Sequence, residues 1–155
     1  MKDQVVVKPI ASEETYELRH KVLRPNQSLQ DCKYPLDHDV SALHIGCFLD
    51  STLVAVGTIF CEDREGNTSG NVWRIRGMAV SPGNRGKGIG GKVLSALINH
   101  VEQQHPGAEI WCNGRECVKE FYEHFGFLQV GDAFELPMIG LHVVMVKQAG
   151  KTGRT

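Results

Sequence analysis

The chain has 155 residues, 41% of them apolar and 23% charged, with a formal net charge of −1 at pH 7. That length suits one well-filled core, and the near-neutral balance excludes a global attraction to nucleic acid or an anionic membrane surface. The start, MKDQVVVKPIASEE, lacks the apolar core of a signal peptide, and no apolar run approaches a membrane span, so the cytoplasm is the expected compartment.

Val5 to Ile10 is β-branched and reads as a first strand, closed by Pro9 and the Ser12 that follows. Ser12-Glu13-Glu14-Thr15 offers an N-cap with acids in the first turn, which predicts a helix to about Leu23. Arg24-Pro25-Asn26 ends it, because proline disfavours helical geometry in the residue before it. On an ideal helix Arg19 and Arg24 stand roughly 140° apart and need not converge. Residues 26–40 read as a loop. Leu43–Leu49 and Leu53–Cys61 are apolar strands joined across Asp50-Ser51, a hairpin. A polar loop, Glu62 to Asn71, leads to a further strand, Val72 to Val80.

A glycine loop then opens a helix whose Val93, Leu94, Leu97, Ile98 and Val101 form one apolar stripe. Pro106-Gly107 stops it. Glu109–Cys112 is a short strand, Cys117–Phe125 a second helix ended by Gly126, and Phe127–Glu135 and Leu141–Lys147 are closing strands. The order β-α-β-β-β-α-β-α-β-β predicts an α/β (α+β) domain with a mixed sheet. It would occupy residues 1–148, with 149–155 a frayed polar tail. The five cysteines include no CxxC pair, which argues against a disulfide framework or a zinc ribbon. Cys47, Cys61 and Cys112 lie in apolar runs and read as small core residues. Trp73 and Trp111 read as core or edge aromatics.

The chemistry is concentrated in RIRGMAVSPGN followed by RGKGIGGKV. A glycine-rich turn entering a helix bares several backbone N–H groups at the positive end of the helix dipole, which suits an anion. Gly86 to Lys92 fits the P-loop pattern GxxxxGK, but Val93 stands where Ser or Thr must hold magnesium. Gly86, Gly88 and Gly91 fit the dinucleotide pattern GxGxxG, but the next strand ends in Asn113-Gly114 rather than in an acid. The third pattern, RxxGxG, is filled by Arg85, Gly88 and Gly90 after a strand ending Met78-Ala79-Val80. A solvated basic loop in an ordinary strand–turn–helix is the plain alternative.

RGMAVSPGNRGKGIGGKVLSAL resembles the signature of the GNAT acetyltransferase superfamily, whose loop binds the diphosphate of coenzyme A. FYEHFGF, Phe121 to Phe127, is similar to that family's second signature. The predicted element order also matches the GNAT fold, a mixed, mostly antiparallel central sheet flanked by helices. Within the superfamily the chain is most similar to small members with an LRxxVLRP segment, here LRHKVLRP from Leu18 to Pro25, and an HxxM ending. The ending here, GLHVVM, departs by one residue of spacing.

The resemblance implies an acyl-CoA-dependent N-acetyltransferase that moves acetyl from acetyl-CoA to an amine in a ternary complex, without a metal. Its signature strand would be splayed from its neighbour. Met78, Ala79 and Val80 would line the pantetheine arm, and the Met78 N–H would donate to the oxyanion. Arg85, Gly86, Lys87, Gly88, Ile89 and Gly90 would wrap the pyrophosphate. Tyr122 matches the tyrosine that protonates the departing thiolate, and Asn113 the polar contact to pantetheine. Tyr122 as a packing partner of Phe121, and Asn113 as a plain turn residue, stand beside those roles. The strand glutamate that serves some members as base is here Arg74. His142 is one replacement, and Asp37, His38, Asp39 and His44 are others, each with a structural reading beside it. Arg74 and Arg76 share a strand face beside the cofactor, which would suit a carboxylate- or phosphate-bearing acceptor, although pairing with acids of neighbouring strands explains them equally. The acceptor would be a small molecule or a peptide, with no nucleic acid or membrane partner, and the superfamily's habits allow a homodimer. The rivals are a coenzyme A-binding sensor without acceptor chemistry and a nucleotide-binding switch.

Overall fold

The computed structural model describes residues 4–137 and 139–148, so the tail expected at 149–155 lies outside the described residues. The strands are β1 (Val5–Ile10), β2 (Leu43–Leu49), β3 (Thr52–Cys61), β4 (Val72–Val80), β5 (Glu109–Arg115), β6 (Leu128–Leu136) and β7 (Gly140–Gln148). The α-helices are α1 (Tyr16–Leu18), α2 (Ile89–Gln104) and α3 (Lys119–His124). The sheet has seven strands in the order β1-β2-β3-β4-β5-β7-β6. Its β1/β2, β2/β3, β5/β7 and β6/β7 pairs are antiparallel and β4/β5 is parallel. This is the mixed α+β architecture that the sequence predicts. The chain divides into two compact units, Met1–Phe60 with Ile75–Asn99, and Cys61–Arg74 with His100–Thr155.

In the first unit the hairpin turns where expected. Asp50 and Ser51 have φ of +50° and +73°, both positive as a type I′ turn requires. The helix predicted from Ser12 to Leu23 is instead a 3-10 turn (Ser12–Thr15), the short α1 and a π turn (Arg19–Leu23). Ala11, not Ser12, precedes the first turn, and its N–H donates to Glu14 Oε1 at 2.9 Å. At the other end the Arg24 N–H reaches back to the carbonyls of Arg19 at 3.1 Å and His20 at 3.3 Å. The five-residue step widens the last turn just before Pro25, whose ring forbids another helical residue.

That widened turn sits over a buried polar network. Arg19 is fully buried, and its guanidinium donates to both Asp37 oxygens, at 2.7 and 3.0 Å, to the Cys32 carbonyl and to Thr58 Oγ1. Asp37 Oδ2 also accepts the Tyr34 N–H at 2.9 Å. His44 Nε2 lies 2.9 Å from the Asp37 carbonyl, which can only accept, so that nitrogen carries the proton. Its Nδ1 then takes the Thr58 hydroxyl proton across 2.8 Å. Burial holds the His44 imidazole below its ordinary value, in keeping with that neutral ring.

In the second unit β5 runs to Arg115, three residues beyond the expected end, because Asn113 and Gly114 pair with Val144 and Val143 of β7. The second predicted helix is also shorter, a 3-10 turn (Glu116–Val118) followed by α3. Val72, Trp73 and Arg74 of β4 pair in parallel with Glu109, Ile110 and Trp111. The loop after β3 is held down by the Arg64–Glu109 ion pair and by Asn67, which donates to Glu109 Oε1 at 3.1 Å. Ile110, Cys112, Phe127, Val143 and Met145 are buried, whereas Cys61, expected in the core, is half-buried.

Replacing Asp37 by Asn keeps the shape but leaves a buried, uncompensated guanidinium. Urea unfolding should show a loss of about 3–5 kcal/mol. Lys119→Ala, which removes a surface pair with Glu123 at 4.0 Å, should cost less than about 1 kcal/mol. Equal losses in the two variants would contradict the ranking.

Candidate functional site

The residues expected to hold the cofactor begin at a kink in β4. Gly77 has φ +68° in mid-strand, a left-handed conformation just before Met78, Ala79 and Val80. A Cβ there would lie 2.9 Å from Arg19 Nε and 3.2 Å from Tyr34 Cε2, so both conformation and space demand glycine. Ala79 packs with Leu18 and Val56. Gly57 of β3 is equally crowded, since a Cβ would meet Met78 Sδ at 2.5 Å and Val93 Cγ1 at 2.8 Å. The end of β4 is thus held close against β3, and the Ser81 N–H donates to the Val54 carbonyl at 2.8 Å.

Beyond the clamp the chain opens. After a 3-10 turn (Pro82–Asn84), Arg85 Nε donates to the Val80 carbonyl at 3.3 Å. Arg85, Gly86, Lys87 and Gly88 are exposed, Gly90 is half-buried and Ile89 is buried, pinning the start of α2. Gly86 and Gly88 have φ of +78° and +75°, and a Cβ on either would meet nothing within 4 Å. The first α-helical bond runs from the Lys92 N–H to the Gly88 carbonyl. The N–H groups of Gly88 to Gly91 therefore have no partner within the helix, and they sit at its positive end. An open, glycine-lined turn with these donors and the Arg85 and Lys87 charges fits a diphosphate.

The expected acid and polar contact lie in the second unit. Tyr122 of α3 is buried, its ring edge-on to Phe121 at 5.2 Å and to Phe127 at 5.6 Å. Gly114 of β5 makes room for it, since a Cβ would lie 3.1 Å from Tyr122 Cε2. Burial pushes the Tyr122 phenol well above its ordinary value, and the hydrogen-bonded Cys112 thiol adds to the effect. Burial likewise pushes the Cys112 thiol up to about 12. Asn113 is half-buried within β5, not in a turn after it.

The base candidates separate by their partners. His142 is buried in β7, and its Nδ1–H donates to the Gly140 carbonyl at 2.8 Å, which leaves the lone pair on Nε2. His44 spends both ring nitrogens, and Asp37 its carboxylate, in the network around Arg19. His38 is exposed, 3.9 Å from Glu13, and Asp39 accepts from the Ser41 hydroxyl. Arg74, where the resemblance would put a glutamate, donates to Glu62 at 3.1 Å and lies 4.8 Å over the Trp111 ring, the pairing with a neighbouring acid that the sequence allowed. Arg76 instead lies 3.9 Å over Tyr34, as does Arg19, with Arg24 at 5.9 Å. Sequence reasoning missed Tyr34, Cys112 and Gly114. Tyr34 sits in an aperiodic loop, Cys112 read as a small core residue, and Gly114 lay beyond the expected end of the strand. Among the described residues no group of three or more His, Cys, Asp or Glu could hold a metal ion, and no helix is long and apolar enough to cross a membrane.

Comparison with known proteins places these features in context. Residues 47–129 match the family described as Acetyltransferase (GNAT) domain. An uncharacterized N-acetyltransferase, YitI of Bacillus subtilis (strain 168), is 40% identical over 144 residues, covering 91% of this chain and 94% of that protein. Among solved structures, Escherichia coli ElaA superposes with a TM-score of 0.71 at 21% identity, over 94% of this chain and 100% of that one. The Escherichia coli ribosomal-protein-S18-alanine N-acetyltransferase reaches 0.75 at 14% identity, over 98% of each chain. Both structures share the fold.

A thiol probe at neutral pH checks the Cys112 environment. Cys117, which is exposed, should give the fastest phase, lost in Cys117→Ser, while Cys112 stays unmodified until the chain unfolds. Early labelling of Cys112 by mass spectrometry would show that Tyr122 is not sealed as described.

Proposed function

The chain belongs to the GNAT acetyltransferase family, and from that premise we propose that its residues 1–148 act as a single acetyltransferase domain. The reaction is acetyl transfer from acetyl-CoA to the primary amine of a small molecule or peptide, by direct attack in a ternary complex. The observation that carries this reading is the crowded end of β4, where glycine is required at Gly77, leading into an open glycine turn at the start of α2.

When bound, acetyl-CoA supplies a thioester carbonyl for the amine to attack. The N–H groups from Arg85 to Gly90, with the Arg85 and Lys87 charges, hold its diphosphate, and Met78, Ala79 and Val80 hold the pantetheine arm. The Met78 N–H donates to the oxyanion, a role worth about 3 kcal/mol at comparable sites. The raised pKa keeps the Tyr122 phenol protonated at neutral pH, so it has a proton to give to the departing thiolate. Asn113 contributes a polar contact to the arm. His142 Nε2, with its lone pair, is the proton acceptor for the amine.

The competing reading, a coenzyme A-binding sensor, keeps the glycine turn and loses the transfer. Its motivation is Arg74 where some members carry a glutamate. Turnover of acetyl-CoA on an amine panel separates the two.

Calorimetric titration with acetyl-CoA, coenzyme A, ATP and NAD should show binding of the coenzyme A species alone. Gly88→Trp should weaken it at least about tenfold, because the side chain fills the open turn and φ of +75° strains any residue but glycine there. Binding of ATP or NAD, or coenzyme A binding indifferent to Gly88→Trp, would overturn the assignment of the turn. Tyr122→Phe should lower kcat about 100-fold or more with little change in acetyl-CoA affinity. Full activity in that variant would remove Tyr122 from the reaction.

A further inference from the structure

We propose that Arg24 and Arg76, gathered on Tyr34, bind an oxyanion of the acceptor, so that the substrate is an amine bearing a carboxylate or phosphate group. This rests on the acetyl-transfer reading and names its substrate class.

The gathering comes from the π turn. On an ideal α-helix Arg19 and Arg24 would diverge, but the Arg24 N–H bonds to the Arg19 carbonyl at 3.1 Å, the five-residue step of a π turn. That step brings residues five apart closer to one face than a regular α-helix would, and both guanidinium groups reach the Tyr34 ring, at 3.9 and 5.9 Å. Arg76 reaches the same ring from β4, at 3.9 Å. Single π turns of this kind occur often at functional sites.

The three cations are not equivalent. Both Asp37 oxygens face Arg19, and the same carboxylate accepts the Tyr34 N–H, which fixes the ring to the buried pair. Arg24 donates to Gln27 Oε1 at 3.4 Å, and among the described residues it has no carboxylate at ion-pair distance. Arg24 and Arg76 are both half-buried, where a charge interacts more strongly than in open water. A guanidinium is a planar fork that matches a carboxylate or phosphate.

Position supplies the link to the reaction. Arg76 immediately precedes the left-handed Gly77 and stands two residues before Met78. At about 3.3 Å per residue that is roughly 7 Å along the strand. An anion held there lies a small molecule's length from an amine placed at the Met78 N–H.

The test measures kcat/KM for matched acceptors: an amino acid, its amide, the same amine lacking the carboxyl group, and an aminoalkylphosphonate. The acidic acceptors should exceed the amide by about 100-fold, and the carboxylate and phosphonate arms identify the preferred anion. Arg24→Glu should collapse or invert that ratio toward cationic amines, chiefly through KM. Arg24→Lys should restore part of it, and circular dichroism checks that the variants are folded. If neutral amines are acetylated as well as acidic ones, and Arg24→Glu leaves the ratio alone, this inference falls while the acetyl-transfer reading stands. If acetyl-CoA binds and no amine of any charge is acetylated, both fall.

Discussion

The Arg19–Asp37 pair is the constraint on which the first unit turns. Taking both charges out of water costs several kcal/mol per ion unless nearly every donor and lone pair is used. Here the terminal nitrogens of Arg19 reach Asp37, Cys32 and Thr58, and His44 closes the ring of bonds between Thr58 and Asp37. A single polar network therefore holds together the π turn, the loop bearing Tyr34, β2 and β3. Within this network, among the described residues, Arg19 Nε is left without a hydrogen-bond partner. It lies against the space that a Gly77 Cβ would need, so the buried pair and the bare Gly77 backbone of β4 share one piece of volume.

The glycines around the glycine turn fall into two kinds. At Gly57 and Gly77 the missing side chain is replaced by atoms of the protein, which lets Met78 and Arg19 approach the sheet. At Gly86 and Gly88 it is replaced by nothing, and the backbone faces open space beside the start of α2. Closed positions make the frame rigid, and open ones leave room for a ligand to touch the main chain. A site that must hold a diphosphate through N–H groups needs both.

In the second unit the same logic serves a side chain. Tyr122 is packed between Phe121, Phe127 and the bare backbone of Gly114, with Cys112 as its polar neighbour. An apolar enclosure makes ionisation costly for a phenol and a thiol alike, so both stay neutral. For a tyrosine proposed to give up a proton only to a thiolate, that is the useful state.

Much of this was legible in the order of residues. The hairpin at Asp50-Ser51, the apolar stripe of α2 and the glycine turn after Val80 are local patterns, and local patterns are set by φ, ψ and side-chain period. RGKGIGG after MAV carried the family resemblance for the same reason, since a diphosphate cradle is built from consecutive backbone groups. The sequence misplaced what depends on distant partners. It ran a regular helix through Arg19, where Pro25 and the buried Asp37 favour a wider turn, and so placed Arg24 away from Arg19. It ended β5 at Cys112, where pairing with β7 carries it to Arg115. It offered Asp37 and His44 as bases, where burial commits both to the network. The chain by itself determined the class of fold and the glycine turn, because neighbours in sequence make them. Only the tertiary structure decided which charges are buried and paired and which gather on Tyr34, because those choices are made between residues far apart in the chain.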